Sequence, residues 1–201
     1  MTPHTQIPHR FLAACIVCRA LLAPASQAAE VTHETAPETG IESWTLRDQG
    51  ASLLLMQITP DQATAFFLGR GFNRSAADHY ASSCVFMTVV RNESASGSIS
   101  YRLADWRYTA ADGRQRAIKP ADEWLREWKR RKLPQASLIA FEWSQHPYAQ
   151  TLEVGDWNQG MTTYALPLGS RFDLKFRWAA NGKMHDAMLE GVRCAQPARD
   201  N

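Results

Sequence analysis

The chain has no apolar run long enough to cross a bilayer, which takes about 20 residues. Nor does it carry an excess of either charge, with 22 Lys and Arg against 20 Asp and Glu. If the first 28 residues are removed, Arg10 and Arg19 leave with no acidic residue, so 20 of each sign remain. A formally neutral chain lacks the positive field that draws a protein to nucleic acid or to an anionic membrane. Catalytic signatures are missing too: there is no GxSxG, no HExxH and no GxxxxGK. Gly69-Arg70-Gly71 lacks the third glycine of a dinucleotide fingerprint and follows a helical pattern, not a strand. Cysteine is scarce, with four in 201 residues, and two of these, Cys15 and Cys18, lie near the N-terminus.

What is there begins with a targeting signal. Arg10 precedes apolar residues 11–18, and a second apolar run, 20–25, follows Arg19. Ser26 and Ala28 are small residues at the positions a signal peptidase reads, so residues 1–28 are expected to be a signal peptide cleaved before Ala29. A rival reading makes Leu12-Ala13-Ala14-Cys15 a lipoprotein box, but only four apolar residues separate Arg10 from Cys15, too few for a signal core. Cys15 and Cys18 have CxxC spacing, yet Arg19 stands where haem attachment needs histidine. Export predicts a periplasmic or secreted protein in which the remaining cysteines, Cys84 and Cys194, form a disulfide. That pairing leaves no thiolate for a Cys84/His79 nucleophile.

Residues 29–42 hold Glu30, Glu34, Glu38 and Glu42 with little apolar content, and read as a flexible acidic leader. Residues 43–201 read as one domain. Residues 53–58 form an apolar strand, and Thr59-Pro60-Asp61-Gln62 is a capping box with proline at the first helical position. Ala63, Phe66 and Phe67 continue that helix until Gly69 and Gly71 stop it. Residues 84–90 are apolar at nearly every position, as in a strand covered on both faces. Ile99, Tyr101 and Leu103 alternate, whereas Trp106 and Tyr108 fall on the other parity, predicting a bulge near Ala104 and Asp105. A helix is expected within residues 119–134, with Asp122 and Glu123 early and Arg130, Arg131 and Lys132 late. Strands are expected at residues 137–143 and 161–166, and a hairpin turning at Asn181-Gly182 joins Phe172, Leu174, Phe176 and Trp178 to residues 184–194. Many short strands with inserted helices predict a mainly β fold, an antiparallel, immunoglobulin-like β-sandwich with one disulfide.

Three sets of residues suggest function. Met184, His185 and Met188 combine thioether and imidazole, which suits copper in an exported protein, with His79 or His146 as further ligands. A strand would separate positions 184 and 188 by roughly 13 Å and turn His185 to the other face, so the site requires a loop or helical turn. Trp106 with Arg107 and Asp156 with Trp157 are candidate binding residues, the second pair inside the loop 155–160; the alternative is that they fill the core or pin a hairpin corner. Arg126, Lys129, Arg130, Arg131 and Lys132 crowd one helix, either a docking patch or a solvated face. Together these features predict an exported, non-enzymatic binding or accessory protein of the bacterial cell envelope that engages a protein partner and needs no cofactor. Periplasmic copper delivery and carbohydrate binding are the alternatives.

Overall fold

The computed structural model describes residues 29–197 together with Met1, and the expected signal sequence, with Cys15 and Cys18, falls outside the described residues. Alternating apolar residues build a first sheet, in which Trp44 and Leu46 of β2 (Glu42–Asp48) and Leu53 and Leu55 of β3 (Ala51–Gln57) are buried in one shared cluster. Its strand order is β1 (Glu30–Thr35), β2, β3, β4 (Cys84–Asn92), β9 (Trp157–Tyr164), all antiparallel. β1 corrects the expectation of an unstructured leader over 29–42. Cross-strand contacts replace the missing apolar residues: His33 stacks on Trp44 with ring centroids 4.7 Å apart and pairs with Glu42 at 3.0 Å. Its exposed charges also suit an edge strand, where they discourage further pairing.

The second sheet comprises β5 (Ile99–Arg102), β6 (Arg107–Ala110), β7 (Gln115–Arg116), β8 (Ala149–Leu152), β10 (Arg171–Ala180) and β11 (Lys183–Arg193). β10 pairs with β11 along one edge and with β6 and β5 along the other; β7 and β8 close the two ends. The β10–β11 hairpin turns at Asn181 and Gly182, both at positive φ (51° and 70°), the conformation that Asn-Gly favours. Between β5 and β6 the expected bulge is instead a 3-10 turn, Leu103–Asp105. That turn changes the parity of the chain and sends Trp106 inward.

The two sheets share one buried cluster, with Phe86 and Tyr164 of the first against Phe172, Leu174 and Phe176 of the second. Cys84 of β4 is bonded to Cys194, just past β11, across 110 residues of chain. A second cluster lies on the other side of β4 and β9, where Val85 and Met161 meet four helices. These are α1 (Pro60–Leu68), α2 (Arg74–Ala81), α3 (Ala121–Arg130) and α4 (Gln135–Ser144). α1 starts on the expected Thr59/Gln62 capping box. α4 replaces the strand expected over 137–143: Leu138 and Phe141, three apart, are buried while Trp143 stands out, a helical and not an alternating pattern. None of the described helices is long and apolar enough to cross a membrane.

Candidate functional site

α3 and α4 form a hairpin whose inner face is aromatic. Trp124 and Trp128 stack with centroids 5.1 Å apart, Tyr80 and Phe141 pack edge-on, and Trp124 Nε1 donates to Thr163 Oγ1 at 2.8 Å. That bond seats α3 on β9. The start of α3 and the end of α4 then stand on either side of a groove of about 760 Å³, lined by Pro120, Leu125, Glu142, Trp143, His146 and Tyr148 among others.

The wall formed by residues 145–148 is held against β9. His146 N–H donates to Met161 O at 2.9 Å, and Gln145 bridges to the same residue. Such closeness is possible because position 160 is glycine; a Cβ there would overlap the backbone of Gln145 and His146. The Gln145 side chain is fixed as well, accepting from Tyr80 Oη at 3.2 Å and donating to Ser144 Oγ at 3.0 Å.

His146 is buried, and burial pushes its pKa down to about 4 against a smaller opposing pull from Pro147 O. Its ring is therefore neutral at pH 7. Nδ1 lies 3.2 Å from Pro147 O, and Nε2 is buried with no hydrogen-bond partner among the described residues. The ring packs against Tyr101 and Trp106, with centroids 5.4 and 6.1 Å away.

By contrast, Trp143 is 84% exposed and Tyr148 55% exposed on the same groove. Its charged lining is acidic, Asp122 and Glu142, and no Lys or Arg lines it. Asp122 is engaged by Arg126 at 2.6 Å, whereas Glu142 has no ion-pair partner among the described residues. Exposed π faces and a carboxylate without an ion-pair partner are groups that attract cations and apolar surface.

Of the residues singled out from sequence, His146 lines this groove and the others lie elsewhere. Trp106 is fully buried, its Nε1 donating to Arg177 O at 3.1 Å, so it belongs to the core. Arg107 turns back on the 3-10 segment, donating to Ala104 O and Trp106 O. Asp156 accepts from Glu153 N at 3.1 Å and pins its own turn. Trp157 is half exposed at the start of β9 in the first sheet, with the Arg91 guanidinium 5.7 Å from its ring.

Met184, His185 and Met188 all lie on β11, a strand. Met184 and Met188 are exposed, while His185 stacks on Trp178 at 5.4 Å. The loop or helical turn that a shared copper ion would need is not present. His79 pairs with Glu127 at 2.7 Å, and that carboxylate also binds Lys119 and Arg131. Among the described residues no group of three or more His, Cys, Asp and Glu is placed to hold a metal ion. On the basic helix, Arg126 and Arg131 are drawn into ion pairs along α3 itself. Glu142, Trp143 and Tyr148 escape a sequence reading that makes 137–143 a strand. The signal that would find them is the helical spacing of Leu138 and Phe141, which leaves Trp143 on the outside.

Compared with known proteins, the chain matches no family model, no curated protein and no solved structure.

Proposed function

We propose that the protein is an exported, non-enzymatic binding protein of the bacterial cell envelope, periplasmic or secreted, whose α3–α4 groove engages an extended segment of a protein partner bearing apolar and basic side chains. One observation carries this reading. Trp143 and Tyr148 stand exposed on a single groove whose charged lining is entirely acidic. An exposed tryptophan at 84% accessibility adds little to folding, whereas tryptophan is enriched among the residues that dominate protein interfaces. The Cys84–Cys194 bond supports the exported compartment. Two antiparallel sheets over one core support the immunoglobulin-like sandwich as scaffold.

The test is anisotropy titration of the purified protein with three labelled nonapeptides, in which valine alternates with lysine, serine or aspartate. The lysine peptide is expected to bind best and to weaken with salt. Trp143→Ala is expected to cost about 2 kcal/mol, roughly thirtyfold in affinity. Equal binding of the aspartate peptide, or indifference to Trp143→Ala, would sink the reading. Glycan-array binding that depends on Trp143 but not on Glu142 would replace it with carbohydrate recognition.

A further inference from the structure

The groove ends at Tyr148, the residue that precedes a sheet edge. Tyr148 lines the groove, and its carbonyl accepts from Leu103 N at 2.8 Å, so it already continues the β5–β8 ladder. The next residue, Ala149, opens β8, which pairs with β5 alone. In an antiparallel ladder the bonded pairs alternate. With Leu103 bonded to Tyr148, the bonded pairs that follow are Tyr101 with Gln150 and Ile99 with Leu152. The N–H and C=O of Ala149 and Thr151 therefore face away from the sheet, and residues 149–151 are all exposed.

The other described edges are guarded. β1 carries Glu30, His33 and Glu34. β7 is two residues long. β11 carries Lys183, Asp186, Glu190 and Arg193 and has a register shift against β10. The outer side of β9 is bridged at Thr163 by Lys119 and at Met161 by Gln145. β8, with the sequence Ala-Gln-Thr-Leu, has no charge, proline or glycine of its own, the devices that usually blunt an edge. Carboxylates stand beyond its two ends, Glu142 in the groove and Glu153 after Leu152, and neither has an ion-pair partner among the described residues.

We infer that the partner binds by strand addition: a basic, extended segment pairs with Ala149 and Thr151 on the free edge of β8 and extends the second sheet. This rests on the reading of the groove as a peptide site and adds the mode of binding. Tyr148, Gln150 and Leu152 share one parity, which reaches the core at Leu152 and the groove at Tyr148. Alternate side chains of an added strand lie on that same side, where Trp143 and Tyr148 receive them. Flanking lysines or arginines meet Glu142 and Glu153. Backbone pairing supplies affinity that tolerates sequence variation, and the aromatic groove with its acidic flanks supplies the selection.

The test combines hydrogen exchange with one substitution. Binding of the valine–lysine nonapeptide is expected to slow exchange of the Ala149 and Thr151 amides at least tenfold. Thr151→Pro removes one outward donor and leaves the β5 ladder intact, since proline is tolerated where an edge N–H faces solvent. It is expected to weaken the peptide at least tenfold with an unchanged circular dichroism spectrum. Should that variant fail to fold, the same peptide N-methylated at alternate residues is titrated against the unaltered protein, with the same tenfold loss expected. Peptide binding that depends on Trp143 but leaves both amides unprotected, and that tolerates Thr151→Pro or N-methylation, overturns strand addition while the groove reading stands. Failure of all three nonapeptides to bind overturns both.

Discussion

Alanine at position 160 would place a Cβ 2.5 Å from Gln145 C and 2.5 Å from His146 Cα, and closer still to His146 N. All three are backbone atoms, so no rotamer change relieves the overlap. Either β9 or the 145–148 wall must move. Forcing an extra carbon into a packed site costs about 1–3 kcal/mol, and losing the 2.9 Å bond from His146 N to Met161 O adds about 0.5–1.5 kcal/mol. Gly160→Ala is therefore expected to destabilise the protein by about 1.5–4.5 kcal/mol, read from the urea midpoint by tryptophan fluorescence with an unchanged slope. The matched control is Gly69→Ala. Gly69 caps α1 at φ −64°, an ordinary right-handed conformation, and its nearest neighbour would be 3.5 Å from the new Cβ. There alanine is expected to be neutral or to stabilise by up to about 1 kcal/mol. The separation between the two substitutions is the diagnostic quantity. A Gly160→Ala midpoint within about 0.5 kcal/mol of the parent would refute the seating of the groove wall on β9.

Replacing Cys84 and Cys194 together by alanine releases a constraint spanning 110 residues, and the chain-entropy relation assigns that about 5 kcal/mol; urea unfolding of the oxidised parent against the double variant measures it, and a loss under about 1 kcal/mol would contradict the pairing. His146 sets a pH dependence whose sign follows from its depressed pKa. Between about pH 6.5 and about pH 4 the unfolded chain takes up a proton that the folded chain refuses, so stability falls as pH falls, by a total on the order of 3 kcal/mol. In His146→Gln this component is absent, and subtracting the two stability–pH curves isolates it from the carboxylates. A difference curve that is flat across that window would contradict the buried, neutral ring.

What could be read from sequence was local chemistry with a single outcome. The Thr59/Gln62 box needs only its own four residues, and Asn181-Gly182 turns a hairpin whatever surrounds it. The disulfide followed from elimination, since only Cys84 and Cys194 remain beyond the expected signal. Where two patterns fit the same residues, the tertiary partner decided. Ser137, Ile139, Phe141 and Trp143 alternate as a strand would, yet Leu138 and Phe141 also space as a helix, and the aromatic cluster of Phe67, Tyr80 and Trp128 selects the helix. Trp106 and Tyr108 lay on the wrong parity until a 3-10 turn, not a bulge, returned them to the core. β1 has almost no apolar content and exists through its pairing with β2 and the stacking of His33 on Trp44.

The groove was the least legible part, because nothing in it is local. Its two walls come from segments about 20 residues apart, and the residue that allows one wall to sit where it does, Gly160, belongs to neither. The division of labour among residues 141–148 follows from that arrangement. Phe141, Gln145 and His146 face inward and are held by Tyr80, Met161 and Tyr101, so the backbone between them is fixed. Glu142 and Trp143 at the end of α4, and Tyr148 just after it, face outward from the same segment. With the backbone already held, a contact at these positions would cost side-chain freedom alone and not the ordering of a loop. In the proposed reading, substitutions at the inward positions act on stability and on binding through it, and those at the outward positions act on recognition.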